Sequence, residues 1–441
     1  MGIFKTLSHS LRYLPLVGLA AFFIDSSFLD IQSFLPGTYY PSTGTLFIVI
    51  SVVCIITAID LLYIIYRNLE TRLKVLRNLG VFNWTAVFSQ SAIIALLIFS
   101  LAQYYNEGTY HLTNLSVLLM ISYSVALFFM GLLAVKFFSW YRYNREILVL
   151  GYALAICVLV VFLIFSIAYA SFELLSYDVT SGSSTVEEQL TFQSFAPNIF
   201  SSYYYFSYIA AFISIWVVTI LFLRSRSTGK KILLYFVFAI PLLYFLIPTI
   251  PQFSSYINSF IVYSPALYGS IYVIFFSGIG PVGGIVASIA LLLLARSTHD
   301  RYTRGYLLIS AFGLLLFFTI NKAPPLVQHV NPPFDTTSKS FVGLSCYMVF
   351  LGFYSTVIYL TRKDTVTNTV LKQMSKDKFF GSLVRSEQER QLTVIIMKSM
   401  DTLEREKQIE SKSLSLDEIE SAVMEVRKEI FSLREKKKDE L

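Results

Sequence analysis

Apolar runs of roughly 20 residues recur along this chain, and the short segments between them alternate between several basic residues and none. A run of about 20 apolar residues is what a helix needs to cross the ~30 Å hydrocarbon layer, where every backbone N–H and C=O must be satisfied within the segment. Ten such runs are predicted, near 13–29, 45–66, 85–104, 115–140, 147–172, 203–223, 232–250, 267–295, 306–321 and 341–361. The composition leaves no room for a soluble globular protein: 55% of the residues are hydrophobic and only 14% are charged, against about 25% in soluble domains.

Basic residues are retained on the cytoplasmic side during insertion, so their distribution predicts orientation. Lys5 and Arg12 precede the first run; Arg67, Arg72, Lys74 and Arg77 follow the second, and Arg142 and Arg145 the fourth. Arg224, Arg226, Lys230 and Lys231 follow the sixth, Arg296, Arg301 and Arg304 the eighth, and Arg362 and Lys363 the tenth. Segments 30–44, 105–114, 173–202 and 251–266 hold no Lys or Arg, while 322–340 holds Lys322 and Lys339. This pattern predicts ten spans with both termini cytoplasmic. Trp84 and Trp140 are expected at the cytoplasmic headgroups, and Tyr104, Tyr105 and Tyr203 to Tyr205 at the opposite interface. A cleaved secretory signal is the alternative for the first run, although no A-x-A site follows it. Its removal leaves nine spans in the same orientation.

Few residues within these runs carry chemistry. Cys54, Cys157 and Cys346 each fall inside a span and read as small apolar residues, and His9, His111, His299 and His329 show no metal-ligand spacing. No metal or cofactor is expected, and no nucleophile elbow, phosphate-binding loop, H-E-x-x-H helix or kinase signature occurs. The chain is therefore read as a non-enzyme. Asp60 lies about 9 Å from the cytoplasmic end of its span and is a candidate ion or proton site. The other reading is a hydrated carboxylate paired with Arg67 or Arg142. Lys136 is expected to snorkel to the headgroups, and Asp25 and Glu173, at outer span ends, are given no special role.

The run 267–295 contains Gly278, Gly280, Pro281, Gly283 and Gly284, and as one straight helix it would reach ~43 Å. A broken helix lining a solute path and a small-residue packing face that includes Gly280, Gly284 and Ser288 are the two readings. Outside the spans, the acidic segment 173–202 reads as a solvated loop, and Pro324, Pro325, Pro332 and Pro333 favour extended backbone in 322–340. Asn114-Leu-Ser116 matches a glycosylation sequon.

The composition changes after Leu360. Residues 362–441 carry 17 Lys/Arg and 16 Asp/Glu, so the net charge of +7 divides into +6 for the membrane part and +1 for this tail. Mixed charge of this kind argues against a nucleic-acid surface. Leu416, Ile419, Val423, Val426, Ile430 and Leu433 are spaced 3, 4, 3, 4 and 3, the a and d positions of a heptad, behind a capping box at Ser415 to Glu418. Three heptads need a partner, either another tail or the upstream stretch of Leu392, Ile395, Ile396, Met400 and Leu403. The terminal Lys438-Asp-Glu-Leu441 spells a luminal retention signal but falls on the predicted cytoplasmic side.

The basic-aromatic segment Phe138-Ser-Trp140-Tyr-Arg142-Tyr-Asn-Arg145 and the tail stretch from Lys378 to Leu392 resemble uncharacterised multi-pass membrane proteins of archaeal type. That resemblance implies a prokaryotic plasma membrane and carries no activity. The expectation is an all-α polytopic bundle, 1–361, with a coiled-coil-like tail, 362–441, acting as a receptor-like or assembly module. The lipid bilayer and a tail partner or second copy are its expected contacts. A permease or channel using the 267–295 break is the alternative.

Overall fold

The structure, a computed structural model, describes residues 14–33, 41–70, 80–107, 112–143, 145–181, 186–226, 239–244, 246, 279–298, 300–321, 335–364 and 378–407. Among these residues every regular element is a helix. Its elements are α1 (Leu14–Ser33), α2 (Pro41–Glu70), α3 (Gly80–Glu107), α4 (Leu112–Tyr143), α5 (Ile147–Ser181) and α6 (Val186–Arg226). They continue with α7 (Ile279–Ser297), α8 (Arg301–Ile320), α9 (Thr336–Lys339), α10 (Val342–Asp364) and α11 (Lys378–Lys407).

Seven described helices are long and apolar enough to cross a membrane, and Pro15–Asp25 and Gly284–Arg296 are shorter apolar helices. Those two correspond to the first and eighth predicted runs. Most of the seventh, 232–250, lies outside the described residues, as does the Leu416 to Leu433 stripe.

Among the described residues, consecutive helices α1 to α6 pack side by side, α6 meets α7, α7 meets α8, and α8 returns to α1, while α10 packs on α3, α4 and α8. The last span, Thr336–Thr361, is buried over 94% of its apolar window, whereas the equivalent figure for α3 is 28%. It is therefore the central helix and α3 is a peripheral one. Interior and periphery are both apolar, so the sorting rests on packing and on the few polar side chains. On α3 the inward face is Asn83, Ala86, Gln90, Ile93, Leu97, Ser100 and Tyr104, a 3–4 repeat that turns its polar residues from lipid. Asn83 Oδ1 accepts a 2.6 Å hydrogen bond from the Tyr347 hydroxyl of α10.

α10 seats between α4 and α8 through close backbone approach and aromatic contacts. A Cβ on Gly352 would lie 2.5 Å from the Tyr306 carbonyl oxygen of α8, which only glycine permits. Phe129 of α4 packs on Tyr347 and Phe350, and Phe137 of α4 on Phe353. Asp300 caps α8 by accepting from the backbone N–H of Thr303 at 2.9 Å. At the other end Asn321 closes the helix, its backbone N–H donating to the Phe317 carbonyl.

Candidate functional site: a buried polar centre and a docked tail helix

The central span is interrupted just before α10. Asp335 adopts a left-handed backbone (φ 72, ψ −26), which starts the single turn of α9 before the chain re-enters helix at Val342. In an N-cap position the Asp335 side chain would ordinarily accept from the first helical amides. Here it does not; it forms an ion pair with Lys339 one turn on, both side chains wholly inside the protein. The vacated role falls to Asp25 of α1, whose Oδ2 accepts from the Ser338 backbone N–H at 2.8 Å.

Around this pair the hydroxyl-rich sequence Asp335-Thr-Thr-Ser-Lys-Ser340 is tied to three surrounding helices. The Ser51 hydroxyl of α2 shares a 2.9 Å hydrogen bond with that of Thr337. The Ser122 hydroxyl of α4 donates to the Lys339 carbonyl at 3.0 Å and accepts from the Gly343 N–H at 3.3 Å. Tyr123 donates its hydroxyl to Asn321 Oδ1 at 2.9 Å, joining α4 to the end of α8. Every residue from Asp335 to Ser340 is buried, as are Asp25, Ser51, Ser122 and Asn321. Oxygens and amides at this density satisfy a backbone break that lipid could not tolerate.

The opposite end of α4 holds a second polar contact. Trp140 is fully buried, and its indole Nε1–H donates to Glu387 Oε2 of α11 at 2.9 Å. The tail helix covers it, and the indole N–H finds a carboxylate there. Arg390 Nε and Nη2 donate to the two Glu387 oxygens at 2.9 and 2.7 Å. Burial alone pushes the Glu387 carboxyl up, but the bonds from Arg390, Trp140 and Gln391 together outweigh it and hold it below its ordinary value. The Arg390 guanidinium is in turn held above its usual value by the hydrogen bond to Glu387. Ser382, Leu383, Val384 and Ser386 are buried beside this anchor, whereas Leu392, Val394, Ile395 and Met397 beyond it are exposed.

The segments around Trp140 and around Glu387, far apart in sequence, thus meet in space. Trp84 of α3 is 67% exposed. Lys136 lies 5.5 Å over the Tyr354 ring and interacts with both Arg390 and Glu387.

Asp60 is half-buried on α2, and its Oδ2 has no hydrogen-bond partner among the described residues. It is not part of the polar centre described above. Of the glycine-rich set, Gly280, Pro281, Gly283 and Gly284 lie in the described part of α7, and Gly278 lies outside the described residues. A Cβ on Gly284 would lie 2.7 Å from Leu315 Cα, so this glycine packs α7 directly on the α8 backbone. Ser288 one turn on donates to the Ala311 carbonyl of α8 at 2.6 Å.

The basic-residue pattern assigns Asp25 no role and Lys339 to an outer loop; both are core residues. A signal was present. Segment 322–340 was the one outer segment with basic residues, and Asp335 and Lys339 have the i, i+4 spacing of a helical ion pair.

Together these features define a multi-pass helical membrane protein with a polar interior. No protein-family model matches the chain, and no curated protein or solved structure is similar to it.

Proposed function

We propose that this chain is a receptor-like membrane module in which the buried polar centre controls the docking of the tail helix, and through it a tail partner or second copy. In this reading the chain spans a plasma membrane ten times with both termini cytoplasmic, the polar centre toward the outer face and the Trp140 anchor at the inner one. The observation that carries it is that two helices own both places. α4 bears Ser122 and Tyr123 at the centre and Trp140 at the anchor, about 27 Å further along at 1.5 Å per residue. α10 follows directly from α9 and presents Tyr354 to Lys136 beside the anchor. A small rigid shift of either helix at the centre alters the surface that α11 rests on. The partner side is the apolar stretch beyond Leu392 together with the Leu416 to Leu433 heptads, acting as a coiled coil.

The test uses Trp140 as a reporter in full-length protein in nanodiscs, with Trp84 and Trp216 replaced by Phe. Substitutions at the centre, Asp25→Asn or Lys339→Met, should change Trp140 emission and the self-association of the tail. Unchanged emission with unchanged oligomeric state would defeat the coupling. A permease is the second reading, favoured by the partnerless Asp60 Oδ2. Solute flux in liposomes that is lost in Asp60→Asn or Gly280→Leu would establish it instead.

A further inference from the structure

We infer that Asp25 is the attachment point for one exchangeable monovalent cation, a proton or an alkali-metal ion, inside the polar centre. The inference starts from an orphaned atom. Asp25 is 0% exposed, its Oδ2 is engaged by the Ser338 N–H, and its Oδ1 is buried with no hydrogen-bond partner. A carboxylate oxygen sealed from water in this way loses its hydration with nothing in return, which is among the most unfavourable arrangements a protein interior can hold.

Its neighbours do not supply the missing charge. The charged group that acts on Asp25 is Asp335, another carboxylate, and the positive charge of Lys339 is engaged in the ion pair with Asp335. α2 presents the thiol of Cys54, α4 the phenol of Tyr123, α10 the thiol of Cys346 and α8 the amide of Asn321. All of these are neutral or become negative. Asp25 is thus left with one buried carboxylate oxygen that no described side chain neutralises. Burial of an uncompensated charge costs several kcal/mol, so the folded centre gains by taking up one positive charge.

A single unmet oxygen offers one ligand position, which suits a proton or a weakly held alkali ion rather than a divalent ion. No group of three or more His, Cys, Asp or Glu side chains, as a divalent metal would require, occurs among the described residues. A proton needs only Oδ1. An alkali ion would draw further oxygens from the surrounding hydroxyls, of which Ser51, Thr337 and Ser338 are all buried. This assignment stands whether or not α4 and α10 transmit anything to the tail, because its readouts are local to Asp25.

The full chain in detergent micelles is melted across a pH series in choline chloride, and at fixed pH as sodium or potassium chloride replaces choline chloride at constant ionic strength. Infrared spectra of the same samples report a protonated carboxyl. The proton arm predicts a melting temperature that rises with acidification and a carboxyl band that Asp25→Asn removes. The alkali arm predicts a rise with sodium or potassium that Asp25→Asn abolishes. Asn keeps the acceptor for Ser338 and deletes the uncompensated charge, so this variant should melt no lower than wild type in choline at high pH. Lys339→Gln, which leaves a second negative charge, should enlarge the wild-type response and serves as an independent check. Responses identical in wild type and Asp25→Asn, with no band assignable to Asp25, would overturn the assignment.

Discussion

Exchanging Glu387 for Gln is the most direct way to loosen the tail helix without disturbing its packing. Of the four hydrogen bonds Glu387 accepts, those from Arg390 Nε and Nη2 and from Gln391 Nε2 lie within α11, and they persist whether or not the helix is docked. Only the bond from Trp140 crosses to the bundle. Charge-assisted bonds contribute about 1.5–3 kcal/mol and neutral ones about 0.5–1.5, so the exchange costs about 1 kcal/mol at that bond. It also removes the negative charge that screens Lys136 from Arg390, a further ~1 kcal/mol at separations near a protein surface. The sum, about 2 kcal/mol, is roughly thirtyfold in the docking equilibrium. A cysteine at Val384, 2% exposed when docked, in a Cys157→Ser background, reports the undocked fraction through its rate of maleimide labelling. Labelling should accelerate about thirtyfold in Glu387→Gln and to a similar extent in Trp140→Phe. The double variant should be faster than either single but well short of their product, because the two share the Trp140 bond while the Lys136 repulsion belongs to Glu387→Gln alone. Additive effects, or rates unchanged from the parent, would refute the anchor.

The remaining expectations concern pH, the buried ion pair and the glycine contacts. Glu387 is held below its ordinary value of 4.5, so its contribution to docking is fully present above that pH and is lost as pH falls through the lowered folded-state value. Trp140 emission in a Trp84→Phe, Trp216→Phe chain that also carries Asp25→Asn, which removes any titration of the polar centre, should stay constant from neutral pH down to 4.5 and shift only below it; a transition on the alkaline side would contradict the assignment. Lys339→Met leaves Asp335 buried and unpaired and should cost about 3–5 kcal/mol in thermal unfolding, most of it restored in Asp335→Asn/Lys339→Met. Gly352→Ala places a methyl 2.5 Å from the Tyr306 carbonyl and should cost about 1–3 kcal/mol, whereas Gly131→Ala, with open space around it, should leave the melting temperature unchanged.

The helices were legible because each residue's cost in hydrocarbon is a local property. A run such as 147–172 must be helical if it enters a membrane at all, whatever its neighbours are. The 3–4 repeat on α3 was equally available, since Asn83, Gln90 and Ser100 mark one face of an otherwise apolar helix. The polar centre was harder to find. Asp25 ends an apolar run and reads as an interfacial acid until α9 is seen to reach it from 313 residues away. Trp140 is ambiguous in a different way: an indole suits a headgroup layer and a carboxylate partner alike, and only the structure shows α11 lying over it. Asp60 attracted attention because it lies deeper within its run, yet the structure gathers the polar side chains around Asp25 and Asp335.

The sequence by itself determined that this is a helical, multi-pass membrane protein, with its apolar runs and a charged tail, because hydropathy and helix periodicity are additive along the chain. Only the tertiary structure decided that the last span is the most buried, that Asp335 pairs with Lys339 and leaves Asp25 half-satisfied, and that Trp140 lies beneath Glu387. Those outcomes depend on which helices touch. In an apolar solvent that choice follows from small residues, close backbone approach and a few polar partners distant in sequence.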